Sequence, residues 1–365
     1  MAIQTLRVGI IGANINYGWG PRAHLPALVA MPDVDLVAVC TAHEDTARES
    51  AEKYGVPMAF HDYKEMLKRD DIDAVGVIVR VPLHHELTMD VLAAGKHVYT
   101  EWPLGANLAE TQEMADLARK QNVHSMVGLQ ARCAPAILRM KELIDEGYVG
   151  EVLSSHMGLF GSGVLTRVSG RTWQKDRILG ANTFTISFGH AIDALCMCLG
   201  EFKEVSSVIS TQVPQWHETD TDRMVYVTSP DNILISGTLE SGAVVSAHVS
   251  SIPWHGSGFK LEVYGREGTL SLEGRGGAQI ENVHLQGGRS TDDSLSDLPI
   301  PSSLMWVNEE IPQGPPYNVA QMWSRFADAI ATGTRAEPDF DTAVQRHKML
   351  AAMERAAETG QRQVL

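Results

Sequence analysis

From Leu6 to about Val127, short apolar β-branched runs alternate with longer stretches whose apolar residues recur at helical spacing, a pattern that predicts parallel βαβ units. The runs LRVGIIG, VDLVAVCT, AVGVIVR, HVYTE and HSMVG are the predicted strands. Between them RAHLPALVAM, EDTARESAEKYG, YKEMLKRD, HELTMDVLAAG and LAETQEMADLARKQN read as helices, the second and fourth closed by Gly55 and Gly95 at the C-terminal cap. Residues 1–130 therefore read as an α/β domain, a doubly wound parallel sheet of Rossmann type.

A further helix, APAILRMKELIDEG, ends this pattern. RMVYVTS, NILISGTLE, AVVSAHVSS, FKLEVYG and TLSLEG then alternate in the manner of strands, with turn signals SPDN, ESG and GREG between them. Alternation of this kind belongs to a mostly antiparallel open sheet with one covered face, so residues 131–365 read as an α+β domain. Residues 274–316, rich in Gly, Ser and Asp, are expected as loop. The helices VAQMWSRFADAIATG and DTAVQRHKMLAAMERAAETG close the chain, with room to pack back on the first domain.

Composition narrows the partners. A chain of 365 residues is long for one domain, and a formal charge of -15 disfavours the phosphate neutralisation on which nucleic-acid binding rests. No run approaches a membrane span, and VGIIGA near the N-terminus is too short for a signal segment. Cys40, Cys133, Cys196 and Cys198 form no CxxC pair and sit in apolar contexts, as expected of reduced thiols in a cytoplasmic protein. His84, His85 and His97 form no metal pattern with nearby carboxylates, so no metal is expected.

The first predicted strand runs into GANINYGWGPRAHLPAL. Gly12, Asn14, Asn16, Gly18 and Trp19 fall in the turn before a helix, where glycines admit a pyrophosphate to the backbone. The spacing departs from GxGxxG, with Asn14 at the second glycine and one extra residue before the third. At the tip of the second strand, where a carboxylate would hold the ribose of NAD, stand Cys40, Thr41, Ala42 and His43. Thr41 can bond the ribose and His43 can lie beside a 2'-phosphate, whereas Glu44 and Asp45 would repel one. The cofactor expected is NAD, with NADP left open.

The loop, AAGKHVYTEWPLG at Ala93 to Gly105, GHAID at Gly189 to Asp193 and FKLEVYGREGTLSLEG together resemble the Gfo/Idh/MocA oxidoreductase family over almost the whole chain. GxNxxxGWxxxxH from Gly12 to His24, EW at Glu101, LQAR at Leu129 to Arg132 and FGHAID resemble its branch with the galactose-regulon repressor of fungi. The resemblance implies a Rossmann domain, a second domain whose open sheet builds a homodimer or homotetramer, and a catalytic lysine in EKP with an Asp and a His. On this chain Trp102 stands at the lysine and Ile186 at the aspartate, and only His190 matches.

An indole does not titrate near neutral pH, so the acid/base role falls to the His190 imidazole. Trp102 is expected to wall the nicotinamide pocket or offer its face to a sugar, and Glu101, Pro103 and His84 belong to the same rim, Pro103 as a candidate cis peptide. TRVSGRTWQKDR at Thr166 to Arg177 gathers cations in an acidic chain, making Arg167, Arg171, Trp173 and Lys175 candidates for an anionic sugar. Arg132, Asp193 and His255, the last in SSIPWHG, complete the substrate candidates. The expected activity is an NAD(P)-dependent oxidoreductase on a sugar, polyol or glycoside, with transient oxidation leading to glycoside cleavage as a variant. The alternative is an inactive dinucleotide-binding regulator.

Overall fold

The computed structural model describes residues 5–365. Two compact units form, one reaching to Gln130 and taking in Met305–Gln345, the other Ala131–Leu304 with Arg346–Leu365.

In the first unit, β1 (Leu6–Ile11), β2 (Val34–Cys40), β3 (Met58–Phe60), β4 (Ala74–Val77), β5 (His97–Glu101) and β6 (Ser125–Gly128) make one sheet in the order β3-β2-β1-β4-β5-β6. Every pairing in it is parallel. Helices α1 (Leu25–Leu28), α2 (Glu44–Tyr54), α3 (Tyr63–Leu67), α4 (His84–Ala93) and α5 (Leu108–Gln121) supply the crossovers. The strands are buried nearly throughout because helices sandwich the sheet, which is why they read as continuous apolar runs. β3 escapes sequence reading because three residues are too few to show a period. The chain order reverses between β1 and β4, and in such folds the crevice beyond the strand ends at that point takes the ligand.

The second unit starts with α6 (Pro135–Asp145). Its strands are β7 (Val152–Ser162), β8 (Thr166–Arg167), β9 (Phe202–Ser210), β10 (Gln215–Glu218), β11 (Arg223–Tyr226), β12 (Asn232–Leu239), β13 (Val244–Ile252), β14 (Gly258–Gly265), β15 (Gly268–Gly274), β16 (His284–Arg289), β17 (Ser296–Asp297) and β18 (Gln363–Val364). Nine of them form a sheet in the order β17-β16-β15-β14-β7-β13-β12-β9-β18, antiparallel except between β7 and β13. One face is buried, while the other leaves Val208, Leu234, Val244 and Tyr264 exposed. A turn at Thr183–Phe188 and helix α7 (Gly189–Leu199) pack on the buried face. Helices α8 (Pro315–Thr332) and α9 (Phe340–Thr359) end the helical series.

Three expectations change. β7, absent from the sequence reading, is a central strand; covered on both flanks by neighbours, its run Met157 to Leu159 is buried without alternation. Residues 274–316 are not all loop, since β16 and β17 lie within them. The glycines that suggest a loop there are packing requirements: a Cβ on Gly287 would stand 2.7 Å from Leu298 Cδ1 and 2.9 Å from Leu270 Cδ2. β11 leaves the main sheet and pairs with β10, which pairs with β8, in a separate three-stranded sheet.

Candidate functional site

In the first unit the loop after β1 is built around two glycines at positive φ, Gly12 at 95° and Gly18 at 99°. A Cβ on Gly12 would meet Ile78 O at 2.0 Å, so the loop runs against the end of β4 only because that position has no side chain. Gly18 faces open space. Asn14 shapes the loop by accepting the Asn16 N–H at 2.8 Å, and the Arg22 guanidinium lies 5.5 Å from the Trp19 ring centroid. The Trp19 indole N–H is buried and has no partner among the described residues. Backbone room, a glycine opening outward and an unfilled donor fit a dinucleotide at this turn.

The other cofactor candidates divide. The Thr41 hydroxyl lies 2.8 Å from the His43 carbonyl and 2.7 Å from the Thr46 hydroxyl, closing the turn into α2, at whose N-terminus His43 stands exposed. Glu101 turns inward. Its Oε1 accepts from His24 Nε2 at 2.7 Å, and Gln130 Nε2 donates to Oε1 at 2.9 Å and to Oε2 at 2.8 Å. Trp323 Nε1–H donates to His24 Nδ1 at 3.0 Å, which leaves the His24 proton on Nε2, facing the carboxylate. Tyr99 stacks on Trp323 at 4.8 Å. A Cβ on Gly128 would fall 2.6 Å from Glu101 Oε2, so the β6 end is carved to seat this carboxylate. His24, Gln130, Tyr99 and Trp323 carry no role in the sequence reading; His24 and Gln130 stood inside the motifs quoted, and the signal for Trp323 is tertiary only.

Trp102 follows Glu101 directly and is buried, 4% exposed, with a cis peptide to Pro103. His84 braces this turn: Nδ1 lies 2.8 Å from Pro103 O and Nε2 3.1 Å from Val79 O, the residue just past β4. Burial pushes its pKa below the ordinary histidine value against the pull of these carbonyls, so it is a neutral ring donating to one carbonyl at a time. Its contacts are with backbone at the rim.

In the second unit, Asn182 caps the turn Thr183–Phe188, its Oδ1 accepting from Phe184 N at 3.0 Å and Thr185 N at 3.1 Å, while Thr185 Oγ1 accepts the Asn182 N–H at 3.0 Å. The turn has the wider π geometry often found at functional sites and continues into α7. His190 sits in the first turn of α7, 5% exposed. Three residues on, Asp193 is fully buried, and both its oxygens are filled: Arg132 Nε donates to Oδ2 at 2.8 Å, Arg132 Nη2 to Oδ1 at 2.7 Å and Arg346 Nε to Oδ1 at 2.8 Å. Arg346 Nη1 goes on to Glu201 Oε2 at 2.6 Å. Burial pulls the Asp193 pKa up, but Arg132 and Arg346 outweigh it and hold the carboxyl below the usual range. Expected to meet substrate, Arg132 and Asp193 are instead paired with each other, fixing α7 beside His190. Arg346 and Glu201 are new to the site.

The cationic stretch divides as well. Arg167 lies over Trp216, 4.7 Å from the ring centroid, and Arg171 is exposed one turn further on. Trp173 and Lys175 are half-buried, and the Lys175 carbonyl accepts from Thr228 N at 2.9 Å and Ser229 N at 3.0 Å. His255 is exposed at φ 54° on the β13–β14 connection. Among the described residues no group of His, Cys, Asp and Glu is placed to hold a metal, and no helix is long and apolar enough to cross a membrane. A cavity of about 280 Å³ opens at the opposite end of β6 from Gln130, but Arg119 is bound to Asp341 and Arg335 to Asp339 there, leaving no ligand chemistry unmet.

Residues 6–129 match the oxidoreductase family with an NAD-binding Rossmann fold, and residues 135–274 match the C-terminal domain of Gal80p. The dehydrogenase AclE of Aspergillus oryzae is 30% identical over 381 residues, covering 98% of each chain. The galactose/lactose metabolism regulatory protein GAL80 of Saccharomyces cerevisiae is 27% identical over 316 residues, 80% of this chain and 73% of the regulator. A super-repressor mutant of Gal80p superposes with a TM-score of 0.88 at 22% identity, covering 99% of this chain and 98% of that one. Levoglucosan dehydrogenase in complex with NADH superposes at 0.85 with 23% identity, covering 98% of each.

Proposed function

This chain belongs to the Gfo/Idh/MocA oxidoreductase family, with an NAD-binding Rossmann domain and a Gal80p-like C-terminal domain, and from that premise we propose that it is an NAD-dependent dehydrogenase of a sugar or polyol with His190 as acid/base. The observation that carries the reading is the seat of His190. It lies in the first turn of α7; Asn182 caps the turn that leads into this helix, and one turn on the Asp193 pairs to Arg132 and Arg346 hold it. A base must stay within hydrogen-bond reach of the proton it takes, and a side chain between a capped turn and a buried ion-pair cluster is positioned to do so.

Gly12, Gly18 and Trp19 would hold the dinucleotide. When bound, NAD supplies the hydride acceptor. His190 takes the hydroxyl proton of the substrate at a ring nitrogen. Trp102 offers no proton, so its part in the first unit is to wall the nicotinamide and exclude water from it. A glycoside cleaved by way of transient oxidation is the finer variant of the same reading.

The second reading, a dinucleotide-bound regulator, is favoured by Trp102 and Ile186 at the positions where the resemblance implies lysine and aspartate. The test is to incubate the purified protein with NAD and a panel of neutral and anionic sugars and glycosides, following the nicotinamide absorbance and released aglycone together. Turnover is expected, and His190→Asn should lower kcat by roughly 10²- to 10⁴-fold with the melting temperature retained. Silence on both readouts with tight NAD binding would establish the regulator instead.

Two further readings accompany it. The exposed face bearing Val208, Leu234, Val244 and Tyr264 forms a homo-oligomer contact, which sedimentation of the wild type against Leu234→Lys would reveal. The four cysteines are buried and in no disulfide, with Cys40, Cys196 and Cys198 pushed by burial up to about 12, as suits a protein working in a reducing cytoplasm.

A further inference from the structure

After β7 the chain leaves the nine-stranded sheet at Gly163 and comes back at Asn182 to begin the turn that leads to His190. Both ends of this excursion hang on the end of β13. Gly163 N donates to Pro253 O at 3.2 Å and Val164 N to Ile252 O at 3.3 Å, while the Thr183 and Ser251 hydroxyls meet at 3.0 Å. The surface that the excursion presents is thus anchored to the same strand end as the entrance to α7.

Along it Arg167, Arg171 and Arg177 supply guanidinium groups and Asp176 a carboxylate, and among the described residues neither Arg167 nor Arg171 forms an ion pair. Arg167 lies flat on Trp216, and its Nη1 donates to Gly163 O at 2.8 Å and Thr166 O at 3.0 Å, both neutral acceptors. Its Nε and Nη2 have no partner among the described residues, and Arg171 pairs with no acid among them. The acids of the small sheet are engaged elsewhere. Glu218 accepts from Thr172 at 2.7 Å, Thr221 at 2.6 Å and Arg223 at 3.1 Å, and Asp220 accepts from Ser169 N at 2.7 Å and Ser169 Oγ at 2.6 Å. Arg177 is turned away to Glu354 at 2.7 Å. Burial above all, with Arg171 close enough to repel it, lowers the Arg167 pKa in a chain whose formal charge is -15.

We propose that Arg167 and Arg171 bind an oxyanion group on the substrate, a carboxylate, phosphate or sulfonate carried by a sugar. Guanidinium forks grip such groups bidentately, and a ring-stacked Arg167 is already ordered for it. The proposal rests on the dehydrogenase reading for the sugar part of the ligand; the anion part stands on the patch alone.

The test is calorimetric titration of the full-length, NAD-loaded protein with glucose, glucuronate, glucose 6-phosphate, 6-sulfoquinovose and sodium sulfate, for the wild type, Arg171→Met and Arg167→Lys. At least one charged sugar should bind roughly ten- to a hundredfold tighter than glucose, as an added charge-assisted contact implies. Which of the three does so identifies the group. Arg171→Met, an exposed change that leaves folding intact, should erase most of that preference without altering glucose binding, and Arg167→Lys should reduce it partially. Equal affinity for charged and neutral sugars, or a preference that survives Arg171→Met, overturns the proposal. If no sugar binds, the dehydrogenase reading fails and sulfate decides for the patch: binding lost in Arg171→Met upholds an anion site, and sulfate binding unchanged or absent overturns it.

Discussion

Asp193 shows how a residue's chemistry depends on what surrounds it. In the sequence it is an acid three residues after a matching histidine, a natural candidate for a substrate hydroxyl. In the fold both its oxygens are engaged, because Arg132 grips it bidentately and Arg346 adds a second bond to Oδ1. Taking charge out of such a cluster leaves the buried Arg132 without its acid and Arg346 with Glu201 alone. Asp193→Asn should therefore destabilise the protein by about 3–5 kcal/mol, read as a lower denaturant midpoint, with any loss of activity following the lost position of α7. Glu101 makes the same point in the first unit. Its placement in YTEWPLG was legible, but that it faces His24 and Gln130 depends on one partner from the helical turn Gly20–His24 and one from just after β6, which no local pattern encodes.

Elements were legible where packing leaves a periodic signature. The helices of the first unit and the strands β1, β2, β4, β5 and β6 follow from period alone, since a sheet sandwiched by helices requires apolar strands and one-sided helices. Elements whose burial comes from strand neighbours on both sides, such as β7, or whose side chains are absent so that neighbours fit closely, such as β16 at Gly287, leave no such mark. The turn before α7 is specified locally by Asn182 and Thr185 through reciprocal capping. Asn182→Ala should lower stability by about 1 kcal/mol. If the cap also sets the entry angle of α7, kcat falls in the same variant while the KM for NAD is retained, a split that steady-state kinetics would resolve.

For the whole molecule, the buried histidines and Asp193 point one way with pH. Burial lowers His347 from 6.5 to about 4 and lowers His84 as well, so between pH 6.5 and 4 the unfolded chain binds protons that the folded one refuses. Stability consequently falls as pH falls through that window, by about 3 kcal/mol from the nearly fully buried His347. The Asp193 contribution is complete above the ordinary carboxylate value of 3.8 and is lost as pH drops below it towards the folded-state value. Denaturant midpoints should fall steadily from pH 6.5 to 4; His347→Gln should flatten that slope and leave the steeper loss below pH 4 in place. By itself the sequence determined the doubly wound first unit and the glycine turn after β1, and it put Trp102, Ile186 and His190 where the resemblance implies catalytic residues, because periodicity and motif spacing are written along the chain. Tertiary structure alone decided which charges are used up in pairing and which remain exposed for a ligand. Arg132, Asp193 and Arg346 lie far apart in sequence, and a carboxylate's role is fixed by whichever cation the fold brings within hydrogen-bond distance.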